Sequence, residues 1–486
     1  MKNKQLETVL ILIFTGAILA IYSFLNPSIT FPLLKGETVN LNFLPFDKLM
    51  GLSLNTTDNS KADSITDNLL AKNTVDTTSK KTTVVDEKIA DNAFLSLPSV
   101  NGKGALDDFF SALQFEAPKT VVRIGHYGDS QIEGDRITSN IRNKFVNEFG
   151  GEGVGFVPFD DIAECVTYTR ESSKNWKKFT VFHDKIKTGM YGLSGMSFMY
   201  SGGKGDIADE EVVTDESEIS SGRKDHATIS LSLRNKYSRL SVQYGNALEP
   251  CTIVVHKTGK KEKLGEIILQ SDADFVEQEI PLSTNEKNLT ISFKGPSPMF
   301  YGISFDGKKG VQVDNYGIRG HSGNGLMKIK DQLLAQEIKK SNTRLMILQF
   351  GANTIPYVKN EKTLNYIAQE FSKLFKKFKR ANENISILVI GVGDMATRID
   401  GEYTSYPMIP QIRDVLKKSA LDAGCAYFDM YEYMGGKDAI LSWSKKGLAS
   451  KDGHFSPKGQ EIVADEIFNT LNNKFKHFQK KYHLNT

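Results

Sequence analysis

The chain has 486 residues, 40% hydrophobic and 24% charged, an ordinary globular composition that excludes a wholly disordered or fibrous protein. Its 61 Lys and Arg against 58 Asp and Glu leave a net charge of +3, without the clustered basic excess that would argue for nucleic acid as a partner. Three cysteines, Cys165, Cys251 and Cys425, are too few for a disulfide framework and match no zinc spacing.

The first predicted element is the stretch Val9 to Leu25, VLILIFTGAILAIYSFL, which holds no charged residue. As a helix it is about 25 Å long, close to the thickness of a bilayer core. Lys2 and Lys4 precede it and favour residues 1–8 on the cytoplasmic side. No A-x-A cleavage pattern or lipidation cysteine accompanies it, so residues 9–25 are expected to be a signal-anchor, with a cleaved signal peptide as the alternative. The rest of the chain is then exported, on the far side of the membrane from residues 1–8. Residues 55–93 are rich in Ser, Thr, Asp, Asn and Lys and lack aromatic residues. Such a segment buries too little apolar surface to offset its ordering entropy and is expected to be a flexible tether.

From Thr120 the pattern becomes that of an α/β fold. TVVRIGHYGDS predicts a buried strand and a tight turn, followed by a helix with Ile137, Ile141, Phe145 and Phe149 at every fourth position. RLMILQFGANT, ISILVIG and AYFDMYEY predict three further strands. Between and after them lie a helix with Ile367, Phe371, Leu374, Phe375 and Phe378 on one face, a helix over about 408–423, and a closing helix from Pro457. Strands alternating with amphipathic helices imply a parallel sheet covered on both faces. Between the halves the period changes to two: Ile229, Leu231 and Leu233 alternate with polar residues, as do Leu240, Val242 and Tyr244, and Leu289, Ile291 and Phe293. With further strands near 253–256, 266–270 and 275–282, this predicts an antiparallel β-sandwich over about 161–310, inserted into the α/β domain.

The chemistry-bearing residues cluster where predicted strands end. Ser130, in Gly128-Asp129-Ser130, follows a buried strand, the position at which open α/β sheets bind ligands and helix amides stabilise anions; a simple helix cap is the alternative reading. Three more blocks follow: Asn315-Tyr316-Gly317-Ile318-Arg319-Gly320, Gly351-Ala352-Asn353, and Asp452-Gly453-His454-Phe455-Ser456-Pro457. In this order the four blocks resemble the SGNH/GDSL family of esterases and acyl hydrolases. The resemblance covers about 96–160 and 311–475. The Gly-rich run from Phe149 to Phe156, with the insertion after it, resembles the peptidoglycan O-acetylesterase-like subgroup, in which a carbohydrate-binding-module-like sandwich interrupts the hydrolase.

The resemblance implies a flavodoxin-like three-layer hydrolase domain with Ser130 as nucleophile, His454 as base and Asp452 as its orienting acid. It implies an oxyanion hole from the Ser130 and Gly320 N–H groups and the Asn353 amide. No metal or organic cofactor is implied. The expected substrate is an acyl ester, most simply an acetyl ester, on a cell-wall or extracellular glycan. An O-acetyltransferase using the same residues and a non-catalytic glycan-binding protein are the alternatives. One departure stands out: the family places the acid three residues before the histidine, where this chain has Lys451, and Asp452 lies two before. His126 and His321 are read as polar walls of the site, Asp129 as a turn residue and Asp394 as a possible pocket lining. The glycines of GIRGHSGNG lack the Gly-Lys-Ser/Thr of a phosphate loop. The basic tail KFKHFQKKYH is read as a solvated helix end, with anionic lipid as the outside alternative.

Overall fold

The computed structural model describes residues 94–100, 102–201 and 225–484, together with 28–32, 38–42, 66, 67 and 70. The chain divides into two compact units, Met1–Lys61 with Arg398–Thr404, and Ala62–Thr397 with Ser405–Thr486. In the first, Ser28–Pro32 and Thr38–Asn42 pair as an antiparallel hairpin. The predicted anchor at 9–25 lies outside the described residues. Among the described residues no helix is long and apolar enough to cross a membrane. The predicted tether, 55–93, also lies outside them apart from three residues. Of these, Thr66 is buried and Asp67 pairs with Lys446 at 2.7 Å, so the segment is not free along its whole length.

The second unit is built on a parallel sheet of five strands: β1 Val121–Gly128, β2 Gly310–Gly317, β3 Thr343–Gln349, β4 Ser386–Ile390 and β5 Ala426–Phe428. Their order is β2-β1-β3-β4-β5, with Leu95–Ser96 added antiparallel at the β5 edge. The longer helices are α1 Asp107–Phe115, α2 Arg136–Phe149, α3 Asp331–Lys340, α4 Glu361–Ala381, α5 Ile409–Asp422 and α6 Pro457–Lys481. Alternate strand residues face opposite ways, so two cores form. Val122, Ile124, Leu345, Ile347, Leu388 and Ile390 pack with α1, α2 and α6. Tyr127, Met346, Leu348, Ile387, Val389 and Tyr427 pack with α3, α4 and α5. The chain order reverses between β1 and β3, and in such sheets the crevice beyond the carboxyl ends of those strands is the ligand site.

Between β1 and β2 the chain forms two antiparallel sheets. One runs in the order Val276–Glu279, Arg239–Gly245, Met299–Asp306, Met196–Tyr200, Trp176–Thr180, with Gly155–Val157 also paired to Met299–Asp306. The other runs Lys263–Ser271, Ala247–Lys257, Asn288–Gly295, Asp225–Leu233, Tyr168–Ser172. Antiparallel pairing thus starts at Gly155, ahead of the expected boundary at 161. The alternating Ile229, Leu231, Leu233, Ile291 and Phe293 point into the sandwich and are buried. Phe159 and Trp176 stack there with centroids 4.8 Å apart.

The sandwich core does not close on itself. It is continuous with the apolar layer under α3 and α4, through Val181, Leu193, Leu326, Leu333 and Leu334. Replacing residues 161–310 with a short Gly/Ser linker would leave this layer exposed. The expected result is a protein that aggregates or unfolds without a cooperative transition, read by calorimetry and size-exclusion chromatography. A soluble, cooperatively folding product would show that the α/β part is self-sufficient.

A buried ion cluster also joins the two parts. Arg123 on β1 donates to Asp314 on β2 at 2.9 Å and to Asp306 at the end of a sandwich strand at 2.8 Å. Asp314 further accepts from the Phe156 N–H and the Tyr316 hydroxyl. Burial disfavours the Asp306 carboxylate, but the Arg123 guanidinium outweighs it and holds the carboxyl below its ordinary value. That contribution to stability is therefore complete above about pH 4 and is lost as pH falls below it. Arg123→Met would strand two carboxylates in the interior and is expected to cost about 3–5 kcal/mol in urea unfolding at neutral pH, less in acid.

Candidate active site

The blocks singled out in the sequence lie at or just beyond the carboxyl end of the parallel sheet. Ser130 sits two residues past β1, Gly320 three past β2, Asn353 four past β3 and Asp394 four past β4; His454 precedes α6. Ser130 does not open an α-helix, contrary to the reading that placed it at a helix mouth. Gly134 and Asp135 follow with φ of 68° and 65°, which interrupts helical propagation, and α2 starts at Arg136. A Cβ at Gly134 would lie 2.3 Å from the Glu164 carbonyl, so the turn is also closed to other residues. The Asp135 carboxylate does not cap α2; it binds the buried Arg142 at 2.6 Å and accepts from Thr167.

Ser130 and His454, 324 positions apart, are brought together: Ser130 Oγ lies 2.8 Å from His454 Nε2. His454 Nδ1 lies 3.1 Å from Asp452 Oδ2. The shortened spacing is absorbed by Gly453, whose φ of 91° folds the loop back so that the carboxylate still reaches the ring. Asp452 also accepts from the Ser450 hydroxyl and, at 3.3 Å, from the His454 N–H. Partial burial pushes the Asp452 carboxyl up, but the hydrogen bonds from Ser450 and His454 prevail and hold it below its ordinary value. It is therefore ionised wherever the imidazole needs an acceptor. This Oγ–Nε2, Nδ1–carboxylate chain is the geometry by which a hydroxyl can be deprotonated by an imidazole in a fixed tautomer.

The loop that carries His454 is clamped to the serine turn by Gln131, which the sequence reading passed over. Its Nε2 donates to the Gly453 carbonyl at 2.6 Å and its Oε1 accepts from the Phe455 N–H at 3.4 Å. Its only sequence signal is adjacency to Ser130. Below the loop, Ser456 caps α6 by accepting from the Gly459 N–H.

Asp129, read as a turn residue, does accept from the Gln131 N–H at 3.0 Å, but it also accepts from Asn353 Nδ2 at 2.8 Å. Burial pushes its carboxyl up to about 6. Asn353 Nδ2 makes a second, longer bond of 3.3 Å to the His321 carbonyl, which ties the Gly320 block to the serine turn. The Asn353 turn itself depends on Gly351: its φ is 119°, and a Cβ there would lie 2.6 Å from Val392. Gly320 has φ of 73° and is open enough to be approached.

His126 and His321 do not reach Ser130. Each is buried, and burial lowers each pKa to about 4. His126 lies between Gln349 at 3.1 Å and Thr138 at 2.9 Å, and His321 Nε2 accepts from the Gly325 N–H. Asp394 lines a cleft of about 40 Å³ together with Asp129, Gln131, Phe350, Asp452 and Gly453. Its carboxylate accepts from the Met395 and Ile440 N–H groups, and burial pushes it up to about 6. Among the described residues no group of three or more His, Cys, Asp or Glu is arranged to hold a metal ion.

A doubly wound α/β sheet with a serine and a histidine meeting at its carboxyl edge defines a hydrolase of the ester-cleaving class. Residues 294–462 match the model of the GDSL-like lipase/acylhydrolase family, a segment that contains Gly320, Asn353, Asp452 and His454 and starts after Ser130. Residues 294–462 thus carry the features of a GDSL-like lipase/acylhydrolase domain. Among solved structures, a peptidoglycan O-acetylesterase superposes with a TM-score of 0.61 at 17% identity, over 79% of this chain and 99% of that one, a likeness of fold that includes the insertion. A putative GDSL-like lipase from Parabacteroides merdae (16% identity, 33% of this chain, 73% of that one, TM-score 0.28) also matches. So does an active-site mutant of a family two carbohydrate esterase from Clostridium thermocellum (10% identity, 52% and 92%, TM-score 0.26). No curated protein matches the sequence.

Proposed function

We propose that this protein removes O-acetyl groups from a cell-wall or extracellular glycan, and that Ser130, His454 and Asp452 carry the reaction. The observation that bears most weight is the Ser130 Oγ–His454 Nε2 distance of 2.8 Å, with Asp452 on the other ring nitrogen. In this reading Ser130 Oγ attacks the ester carbonyl while His454 takes its proton. His454 returns that proton to the leaving sugar oxygen, and water then hydrolyses the acetyl-serine by the same relay in reverse. The tetrahedral oxyanion is met by the Ser130 and Gly320 N–H groups and by Asn353. The Asn353 amide already donates twice, so the 3.3 Å bond to the His321 carbonyl is the one the oxyanion displaces, while Asp129 keeps the amide in place. Preorganised donors of this kind are typically worth about 3 kcal/mol each in the transition state.

The similarity in fold to a peptidoglycan O-acetylesterase supports a cell-wall glycan as the carrier. The charge-free stretch Val9 to Leu25 supports attachment of the enzyme to the bacterial inner membrane with its site in the periplasm or outside. The deciding experiment measures acetate released from O-acetylated peptidoglycan by the full-length protein and by Ser130→Ala. Release that requires Ser130 is expected. Transfer of acetyl from a donor ester onto a glycan, with no net release of acetate, would make the protein a transferase instead.

A further inference from the structure

We infer that Arg319 and Glu133 act as a positioning pair, holding the Gly320 N–H against the serine turn while the oxyanion forms. This rests on the ester-cleaving reading above and adds to it two residues that belong neither to the triad nor to the oxyanion donors. In that reading Ser130, Gly320 and Asn353 supply the donors from three loops. Asn353 is bound to the serine turn through Asp129. Gly320 has less to hold it. The last backbone bond from its segment to β1 runs from the Ile318 N–H to the Gly128 carbonyl at 3.0 Å. The chain then turns back, with the His321 N–H donating to the Ile318 carbonyl at 3.1 Å, and Gly320 contributes no side chain. The 3.3 Å bond from Asn353 to the His321 carbonyl ties this turn to the rest of the site, and it is the bond that the oxyanion displaces. A tie that survives the displacement has to come from elsewhere.

Arg319 supplies it. Its Nε donates to both Glu133 carboxylate oxygens at 2.9 Å, and its Nη2 donates to Oε2 at 2.8 Å. The planar guanidinium thus grips one carboxylate with two groups, which fixes direction as well as distance. The Gly320 N–H belongs to the planar peptide unit that starts at the Arg319 carbonyl, so anchoring Arg319 limits how that donor can swing. Glu133 in turn is part of the serine turn: its N–H donates to the Asp129 carbonyl at 3.2 Å. The neighbouring Ile132 carbonyl accepts from Asn315 Nδ2 at 2.7 Å, and a Cβ on Gly317 would lie 3.1 Å from the Glu133 Cα. Asn315, Gly317 and Arg319, at alternate positions, therefore all meet the same short stretch after Ser130.

An ordinary surface ion pair would not do this, because water screens it and two long side chains have to be ordered to make it. This pair is asymmetric. The Glu133 side chain is 4% accessible and that of Arg319 58%. The carboxylate is fixed in the interior of the turn, and only the arginine has to be ordered. A lysine at 319 would keep the charge but offer a point contact in place of the fork. A glutamine at 133 would keep the shape and one acceptor oxygen while leaving no buried charge unpaired, and Arg319 would be free to turn into water. Each change loosens Gly320 without removing any group that touches the substrate.

The test measures kcat, KM and Tm of wild type, Glu133→Gln, Arg319→Lys and the double variant on 4-nitrophenyl acetate, with Ser130→Ala as the control. Acylation and deacylation both pass through an oxyanion, so a displaced donor lowers kcat whichever step limits the rate. Glu133→Gln is expected to lower kcat about tenfold, short of the 10²–10³-fold typical of deleting a donor outright. KM should stay within about twofold, because the interaction is made in the transition state and not on binding. Arg319→Lys should show a smaller loss of the same kind. The double variant should be no slower than the slower single one, since both break one tie. In Arg319→Ala, added guanidinium restores a charge but not the tether, and kcat should not recover. Unchanged kcat, losses that multiply in the double variant, recovery with guanidinium, or a loss that appears only near a lowered Tm would each overturn the positioning pair and leave the ester-cleaving reading intact. Wild-type hydrolysis that does not depend on Ser130 would overturn that reading, and the role of the pair with it.

Discussion

Ser130→Ala is expected to lower kcat/KM on an acetyl ester by about 10⁴-fold or more, as loss of a nucleophile does in enzymes that form an acyl intermediate. The side chain is half-buried, and the one hydrogen bond described for its hydroxyl is to His454 at 2.8 Å. Removing the hydroxyl takes away no packing and leaves no buried donor unpaired, so unfolding free energy should shift by less than about 0.5 kcal/mol. Activity and stability measured on the same preparation therefore separate a chemical role from a structural one. A serine-reactive phosphonate should label Ser130 and be blocked in His454→Ala, where the hydroxyl has no base. Labelling at another serine, or a variant with full activity, would end the assignment.

The parts of the fold that were legible in the sequence are those where burial is one-sided and periodic. Ile367, Phe371, Leu374, Phe375 and Phe378 are all buried on one face of α4, because only that face meets the sheet. Strand β2, GVQVDNYG, was not legible as a member of the parallel sheet. It is buried along most of its length, yet Gln312, Asp314 and Asn315 break the apolar run. Their polar groups are satisfied by distant partners such as Arg123 and the Ile132 carbonyl, which no local pattern reveals. The segment AYFDMYEY reads as one strand, but it ends at Phe428. Asp429 then caps a short helix, Met430–Met434, by accepting from the Glu432 N–H. Alternating aromatic residues suit a strand and a tightly packed helical turn alike, and the cap decides between them. The site blocks were legible because each sits at a strand end. What joins them was not: the Gln131 clamp and the Asp129–Asn353 bond connect loops more than 200 residues apart.

His454→Ala and Asp452→Asn are expected to differ in cost, with the histidine the larger. In the proposed relay, loss of the imidazole deprives the serine of its general base, a contribution typically of about 10²–10⁴-fold. Asp452 would act on the ring and not on the substrate. Its spacing to His454 is one residue shorter than the family's. The left-handed Gly453 absorbs that difference, and the Nδ1–Oδ2 distance is 3.1 Å. The reason to expect a modest effect is instead exposure: the Asp452 side chain is 61% accessible and that of His454 42%. Water there screens the carboxylate charge and can itself accept the Nδ1 proton, so the imidazolium loses less when the acid is neutralised. The hydrogen bonds from Ser450 and from the His454 N–H remain available to asparagine through its carbonyl oxygen, so the loop geometry should survive. Asp452→Asn should then lower kcat/KM by at least about tenfold, on the order of 1.4 kcal/mol in the barrier, but by less than His454→Ala. Both constants are to be measured on one acetyl ester at a pH above the range in which carboxylates titrate. A silent Asp452→Asn would mean that Ser130 and His454 work as a pair with water as the third partner. A silent His454→Ala would leave no base in reach, because His126 and His321 are buried and held by Gln349, Thr138 and the Gly325 N–H, and the role of Ser130 would fall with it.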